Sequence, residues 1–209
     1  MKHDSTHNTR ENHFLTPSLS MRAYARGLFP MAQSRHDPII FWLDPPTRGI
    51  ITPQSFHVPK RMRRTIRNTP HVVAYNTCFQ RVLQECATPT TTRTDTWLNP
   101  HIMRLHEHLH TLGRAHSVEI FMDDTLVGGL YGITLGAAFF GESMFSRKRD
   151  ASKIALIALM EKLVSQGFQL LDTQFITDHL RQFGAYEVER TAYRSMLQEA
   201  VAHPCAFLT

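Results

Sequence analysis

The stretch that most constrains this chain is Gly128 to Lys153, reading G-G-L-Y-G-I-T-L-G-A-A-F-F-G-E-S-M-F-S-R-K-R-D-A-S-K. Its first half is apolar and broken by Gly128, Gly129, Gly132 and Gly136, the pattern of two adjacent strands joined by a tight turn. Glycines inside strands mark turns, bulges or a close approach of other backbone. Glu142 ends the apolar run where an ordinary strand would carry Val or Thr. Met144, Phe145 and four charged residues follow, and Asp150 is placed as the cap of a helix running to Gln166, closed by Gly167. A second apolar strand, Phe168 to Gln174, carries Asp172 and Gln174 two residues apart, hence on one face. Two acids and an amide set in apolar sequence are costly to bury unless they are paired or used. The plain alternative is that Glu142 only caps a turn or pairs with Arg147 or Lys148.

Around this centre the elements follow in order. Met1 to His13 is polar and without period, and is expected to be disordered. Pro17 to Arg26 is a helix ended by Gly27. Ile39 to Trp42 and Gly49 to Ile51 are strands about the turn D-P-P-T-R. Lys60 to Arg67 is an amphipathic helix with one basic face. His71 to Tyr75 is a strand, Asn76 a cap, and Thr77 to Ala87 a helix. A polar loop from Thr88 to Asp95 precedes Trp97, and Asn99-Pro100 opens a helix to Gly113. Strands His116 to Met122, Thr125 to Ile133 and Ala137 to Glu142 form a meander. Helices at Asp178 to Phe183 and Thr191 to Ala200 close the chain. The order divides it into a tail and small lobe, residues 1–46, and a larger domain, residues 47–209. A meander that crosses by one helix into a further strand is the order of an α/β (α+β) fold of GNAT type.

Composition narrows the class. Hydrophobic residues make up 42% of 209, enough for a sizeable core. Lys and Arg outnumber Asp and Glu by 23 to 18, a mild excess compatible with a polyanionic partner. Cys78, Cys86 and Cys205 have no metal spacing and read as reduced thiols. No signal-like segment opens the sequence, and no apolar run nears the roughly 18 residues of a spanning helix, so a cytoplasmic protein with no membrane partner is expected.

Several motifs in fixed order resemble the leucyl/phenylalanyl-tRNA–protein transferases. They are Y-A-R-G-L-F-P from Tyr24, T-W-L from Thr96, A-H-S-V-E from Ala115, G-G-L-Y-G, F-F-G-E-S-M-F-S, A-S-K-x-A-L and L-D-T-Q-x-x-T-x-H-L. The resemblance covers Leu19 to Tyr193. It implies an aminoacyltransferase with a GNAT-like catalytic domain. Its donors are leucyl-, phenylalanyl- and, more weakly, methionyl-tRNA; its acceptors are proteins with N-terminal Arg or Lys, marked in this way for N-degron proteolysis. No cofactor is implied, because the ester is already activated, and no metal; a monomer is expected. Residue by residue, Asp172 and Gln174 match a D-x-Q proposed to relay the amine proton, and Glu142 would orient the cationic acceptor. Met144, Leu156, Leu159, Leu163 and Leu171 would line the side-chain pocket, although Leu156, Leu159 and Leu163 also fit ordinary helix core. Trp97 would border the terminal adenosine of the tRNA. Lys60, Arg61, Arg63, Arg64 and Arg67 would meet its backbone, positioning it without reading sequence. The family usually has W-W-S-P-D-P-R where this chain has F-W-L-D-P-P-T-R, so the loop at Asp44 to Thr47 is expected to differ.

Three other readings compete. H-E-H-L-H-T-L-G-R-A-H, from His106 to His116, matches a zinc-protease pattern with His106, His110 and His116 as ligands and Glu107 as base. The family's own L-H-x-x-G-x-A-H-S accounts for most of it. An acyl-CoA transferase would need a glycine-rich pyrophosphate loop before the long helix, and R-K-R-D-A-S has none. A plain RNA-binding module would have no use for Glu142, Asp172 and Gln174.

Overall fold

The computed structural model describes residues 15–91 and 94–209; the tail expected to be disordered, and Thr92 and Arg93 of the polar loop, lie outside the described residues. The elements are α1 (Pro17–Tyr24), β1 (Phe29–Ala32), β2 (Ile40–Leu43), β3 (Thr47–Ile51), α2 (Lys60–Asn68), β4 (Val72–Tyr75), α3 (Phe79–Ala87), α4 (Pro100–Thr111), β5 (Ala115–Met122), β6 (Thr125–Leu135), β7 (Ala138–Ser146), α5 (Ala151–Ser165), β8 (Leu170–Gln174), α6 (Asp178–Arg181), β9 (Tyr186–Glu189) and α7 (Arg190–Ala202). The fold is α+β. β1 and β2 form a small hairpin sheet, and the other seven strands one mixed sheet in the order β4-β5-β6-β7-β8-β3-β9.

Period-two alternation sends successive side chains to two cores. Phe140, Ile50 and Leu170 join Tyr131 and Tyr193 on the face covered by α1, α3, α4 and α7. Their neighbours Phe139, Ile51 and Leu171 join α5 on the opposite face. Strands covered on both faces read as continuous apolar runs, which is why the central stretch shows little polar alternation. The β5–β6 hairpin turns at Asp123 and Asp124, φ 49° and 56°. Both central residues at positive φ match the strand twist.

The glycines of β6 permit close packing. A Cβ on Gly132 would sit 2.2 Å from both the Phe139 ring and the Phe140 carbonyl oxygen, at a register shift in the β6–β7 ladder. Gly132→Ala is expected to cost about 1–3 kcal/mol by overpacking. A melting temperature unchanged by that substitution would contradict this packing.

Several local expectations are corrected. Edge strand β9 and hairpin strand β1 have little periodicity of their own and form by pairing, β9 with β3 and β1 with β2. Asn76 does not cap α3. It takes φ 58°, and its Oδ1 accepts from the Ser117 N–H at 2.9 Å, pinning the turn to β5; Cys78 stands at the cap. Asp150 holds the cap position of α5 at φ 64° but makes no side-chain cap bond. Its carboxylate is drawn instead to Arg61, at 2.8 Å, and Lys153, at 2.6 Å. β7 runs past Glu142 to Ser146 because β6 continues to pair with it.

Among the described residues β7 and β8 are the one parallel pair, joined through α5. Their pairing ends at Phe140 opposite Asp172, although β7 continues to Ser146 and β8 to Gln174. The strands therefore part at their carboxyl ends, where α/β sheets open a crevice for ligands.

Candidate active site

That crevice is a cavity of about 350 Å³. Gly141, Glu142, Ser143 and Met144 of β7 line one side, Leu171, Thr173 and Gln174 of β8 another, and Leu156 and Leu159 of α5 the apolar wall. Phe29, Pro30 and Met31 reach it from β1, with Trp97 and Phe175 also lining it. Trp97 is half-buried and Phe175 is 51% exposed. Four of the five expected pocket residues, Met144, Leu156, Leu159 and Leu171, are on the wall. Leu163 is not among the lining residues; it is buried in the core beneath α5. Helical spacing puts Leu156, Leu159 and Leu163 on one face, but Leu163 lies one turn further along the axis.

Glu142 is buried at the cavity and accepts a hydrogen bond from the Tyr24 hydroxyl at 2.8 Å. Its pKa is pushed up to about 8, chiefly by burial and in part by the nearby Asp172, against the Tyr24 hydrogen bond and Arg48, which lower it. Arg147, the partner considered for it from sequence, is paired with Glu85 instead.

Asp172 is fully buried behind the cavity wall rather than on it. Arg48 Nε donates to its Oδ1 at 2.9 Å and Nη2 to its Oδ2 at 2.8 Å, while the Tyr193 hydroxyl donates at 2.5 Å. The guanidinium lies between the rings of Phe29 and Tyr193, 4.5 and 4.6 Å from their centroids. Burial alone would lower the Arg48 pKa, yet Asp172 and Tyr193 carry it above its ordinary value. The fourth donor to Asp172 is the backbone N–H of Gln174, at 2.8 Å. Gln174 holds φ 56°, an uncommon conformation for a non-glycine residue. Opposite it stands Gly49, where a Cβ would meet the Thr173 hydroxyl at 2.8 Å. Asp172 thus fixes the bent backbone of Gln174 and does not touch the Gln174 side-chain amide. That amide's Nε2 is buried without a hydrogen-bond partner at the cavity, 8% of the residue being exposed. A buried donor left unpaired is an opening for a ligand acceptor.

Sequence reasoning missed Tyr24 and Arg48 as members of this site. Each is separated from its carboxylate by more than a hundred residues, so no spacing rule reaches them.

The basic residues expected at a nucleic acid lie on α2. Lys60, Arg61, Arg63, Arg64 and Arg67 are exposed, and Met62 is the residue that anchors the helix. Arg61 is tied to Asp150, and Arg63 donates to the Val58 carbonyl at 3.0 Å. The carboxylate of Asp150 at the start of α5 also places negative charge where a pyrophosphate would have to sit.

The histidines of the zinc-like motif are each engaged elsewhere. His106 is buried against the Tyr131 hydroxyl, His110 stacks on Phe79 at 4.1 Å and bonds the Ala115 carbonyl, and His116 meets Asn76 and stacks on Phe207. Burial lowers the pKa of His106 to about 3 and of His116 to about 4. Among the described residues no three His, Cys, Asp or Glu are placed to hold a metal ion.

Comparison with known proteins matches residues 50–198 to the leucyl/phenylalanyl-tRNA protein transferase family, and residues 15–46 to the N-terminal domain of the same transferases. The chain belongs to that family. Among its relatives, the leucyl/phenylalanyl-tRNA–protein transferase of Paramagnetospirillum magneticum is 52% identical over 193 residues, 92% of each chain. The Rhodopseudomonas palustris protein of that name is also 52% identical, over 92% of this chain and 86% of its own. The Caulobacter vibrioides protein is 52% identical over 88% of this chain and 85% of its own. The loop at Asp44 to Thr47 of this transferase-family chain is tied to α7: Asp44 pairs with Arg194 at 2.7 Å and with Arg190 at 3.4 Å. No helix among the described residues is long and apolar enough to cross a membrane.

Proposed function

We propose that this protein is a cytoplasmic, monomeric aminoacyltransferase. It moves leucine or phenylalanine, and methionine more weakly, from tRNA to the N-terminal Arg or Lys of proteins. The observation that carries the reading is an apolar cleft with a buried carboxyl, Glu142, and an unpartnered amide, Gln174, among its lining residues. Membership of the family and the names of the relatives support it.

In the reaction, the α-nitrogen of the acceptor attacks the ester carbonyl carbon of the aminoacyl-tRNA. The bond from that carbon to the terminal ribose oxygen breaks, and the proton lost by the amine ends on that oxygen. Leu156, Leu159, Leu171 and Met144 hold the donor side chain. Gln174, by turning its buried Nε2 into the cavity, would donate to the carbonyl oxygen as it gains charge. The Gln174 amide is too weak a base to take the proton alone, and Asp172 serves as a positioning residue through the Gln174 backbone. Glu142 faces the cation of the acceptor. Trp97 borders the terminal adenosine, and Lys60, Arg61, Arg63, Arg64 and Arg67 track the tRNA backbone. Arg61, held by Asp150, would contribute least to phosphate binding. The chain divides into a lobe through residue 46 and a catalytic domain from residue 47, a division supported by β1 and β2 pairing with each other and not joining the seven-stranded sheet, although Phe29 of β1 lines the shared cavity.

The test is transfer from radiolabelled leucyl-tRNA to peptides beginning with Arg, Lys or Ala, with and without a chelator. Label is expected on the Arg and Lys peptides alone, equally in both conditions. No transfer to the Arg peptide would overturn the reading.

A further inference from the structure

Phe175 is the only exposed large hydrophobic side chain among the described residues that also lines the cavity. Its position is fixed. The Phe175 N–H donates to the Thr173 carbonyl at 2.7 Å, Gln174 before it holds a positive φ, and the ring meets Phe29 edge-on at 5.9 Å. Phe29 and Met31 of β1 line the cavity too, and their cross-strand partners are Leu43 and Phe41 of β2. Directly opposed residues share a face of a sheet. Phe41, 42% exposed and outside the cavity, therefore continues the face that Phe29 and Met31 begin within it. Ile39, two residues earlier, is exposed as well. Phe175, Phe29, Met31 and Phe41 thus make an apolar strip that starts in the cavity and ends on the surface. Apolar surface left in water beside a ligand site marks a place where a partner lands.

We infer that this strip receives the acceptor polypeptide beyond its first residue and favours apolar side chains at its second to fourth positions. The inference rests on the aminoacyl-transfer reading of the cavity. An acceptor whose α-nitrogen reaches the ester inside the cleft leaves by the mouth, because its chain continues into a whole protein. An extended chain advances roughly 3.3–3.6 Å per residue. The next three residues are therefore enough to cross the two strands of the hairpin at their spacing of about 5 Å. A tRNA strand fits the strip less well. Single-stranded nucleic acid is held where aromatic rings stand among free cations. The arginine beside these rings, Arg48, is buried and committed to Asp172, and the exposed basic cluster stands on α2.

The experiment compares two acceptor peptides, Arg-Leu-Leu-Leu and Arg-Ser-Ser-Ser, each followed by the same soluble tail, with leucyl-tRNA as donor. In the wild type kcat/KM is expected to be about 5–10-fold higher for the leucine peptide, as partial burial of apolar side chains supports. The difference should lie in KM, the mark of binding away from the reacting atoms. Phe41→Ser should bring the ratio toward unity, and Phe41→Glu should turn the preference to Arg-Lys-Lys-Lys. Equal wild-type values for the leucine and serine peptides overturn the inference and leave the transferase reading standing. That comparison needs no variant, so poor folding of one does not blunt it. No transfer to either peptide removes the transferase reading and this inference with it. A Phe41→Ser protein with a raised KM for leucyl-tRNA and an unchanged peptide ratio would give the strip to tRNA. A wild type that sediments as a dimer, broken by Phe41→Glu, would give it to a second copy of the chain. Either result overturns the inference.

Discussion

Arg48→Ala is expected to lower the folding free energy by about 3–5 kcal/mol, the cost of leaving a buried charge without its partner. The Asp172 carboxylate would keep the Tyr193 hydroxyl and the Gln174 N–H, but lose both guanidinium bonds in a site with no exposure. The cavity between the rings of Phe29 and Tyr193 adds to the loss. For a chain of this size the melting temperature should fall by roughly 6–20 °C. Asp172→Ala should do similar damage, so lost activity in that variant reports folding as well as chemistry. The informative partner is the double substitution Arg48→Met with Asp172→Leu. Apolar replacement of both members removes the unpaired charge and should recover much of the stability. It should not recover transfer, because the Gln174 N–H has lost the acceptor that sets its bend. Thermal melts and transfer assays on the four proteins decide this. A single Arg48→Ala variant melting within about 2 °C of wild type would show that the pair is not what holds the strand end.

The second large effect is on pH. With Glu142 at about 8, its carboxyl is largely protonated near neutrality, and a cationic acceptor has to displace that proton. Acceptor affinity should therefore rise nearly tenfold per pH unit well below 8 and level off above it, a change of about 50-fold between pH 6 and pH 8. Glu142→Gln should bind Arg peptides weakly and without this dependence. The acceptor's own α-amine, ordinarily near 7.7–8.0, titrates equally with both proteins, so the ratio of their KM values isolates the carboxyl. Parallel KM profiles for wild type and Glu142→Gln would sink the role given to Glu142. The same shift has a stability consequence of opposite sign. The folded pKa lies above the ordinary value of 4.5, so the contribution of this group is present in full below about pH 4.5 and is lost as pH rises through 8. Glu142→Gln should flatten that part of the stability profile.

Glu142, Asp172 and Gln174 stood out in the sequence because polar residues in apolar strands are costly, and that cost is visible without coordinates. The breaks at Gly27, Gly113 and Gly167 were equally legible, each a glycine at positive φ just past a helix. The same local logic failed where a side chain had a better distant partner. Asp150 looks like a cap and Asn76 like another, yet the first is taken by Arg61 and Lys153 and the second by β5. It also failed along α5. That helix is buried against the sheet on one side and against α2 and the Phe207 tail on others, so an apolar period marks core without marking pocket. Leu163 was grouped with Leu156 and Leu159 for that reason. The sequence by itself determined most of the segments that become strands and helices, β1 and β9 excepted, which motifs identify the family, and which polar residues had to be used, because these follow from spacing along the chain. The tertiary structure alone decided that Tyr24 serves Glu142, that Arg48 neutralises Asp172, and that the zinc-like histidines are taken by Tyr131, Ala115 and Asn76. Those pairings join residues far apart in sequence, and they exist only because β7 and β8 part where their hydrogen bonding ends and leave charge to be satisfied from other elements.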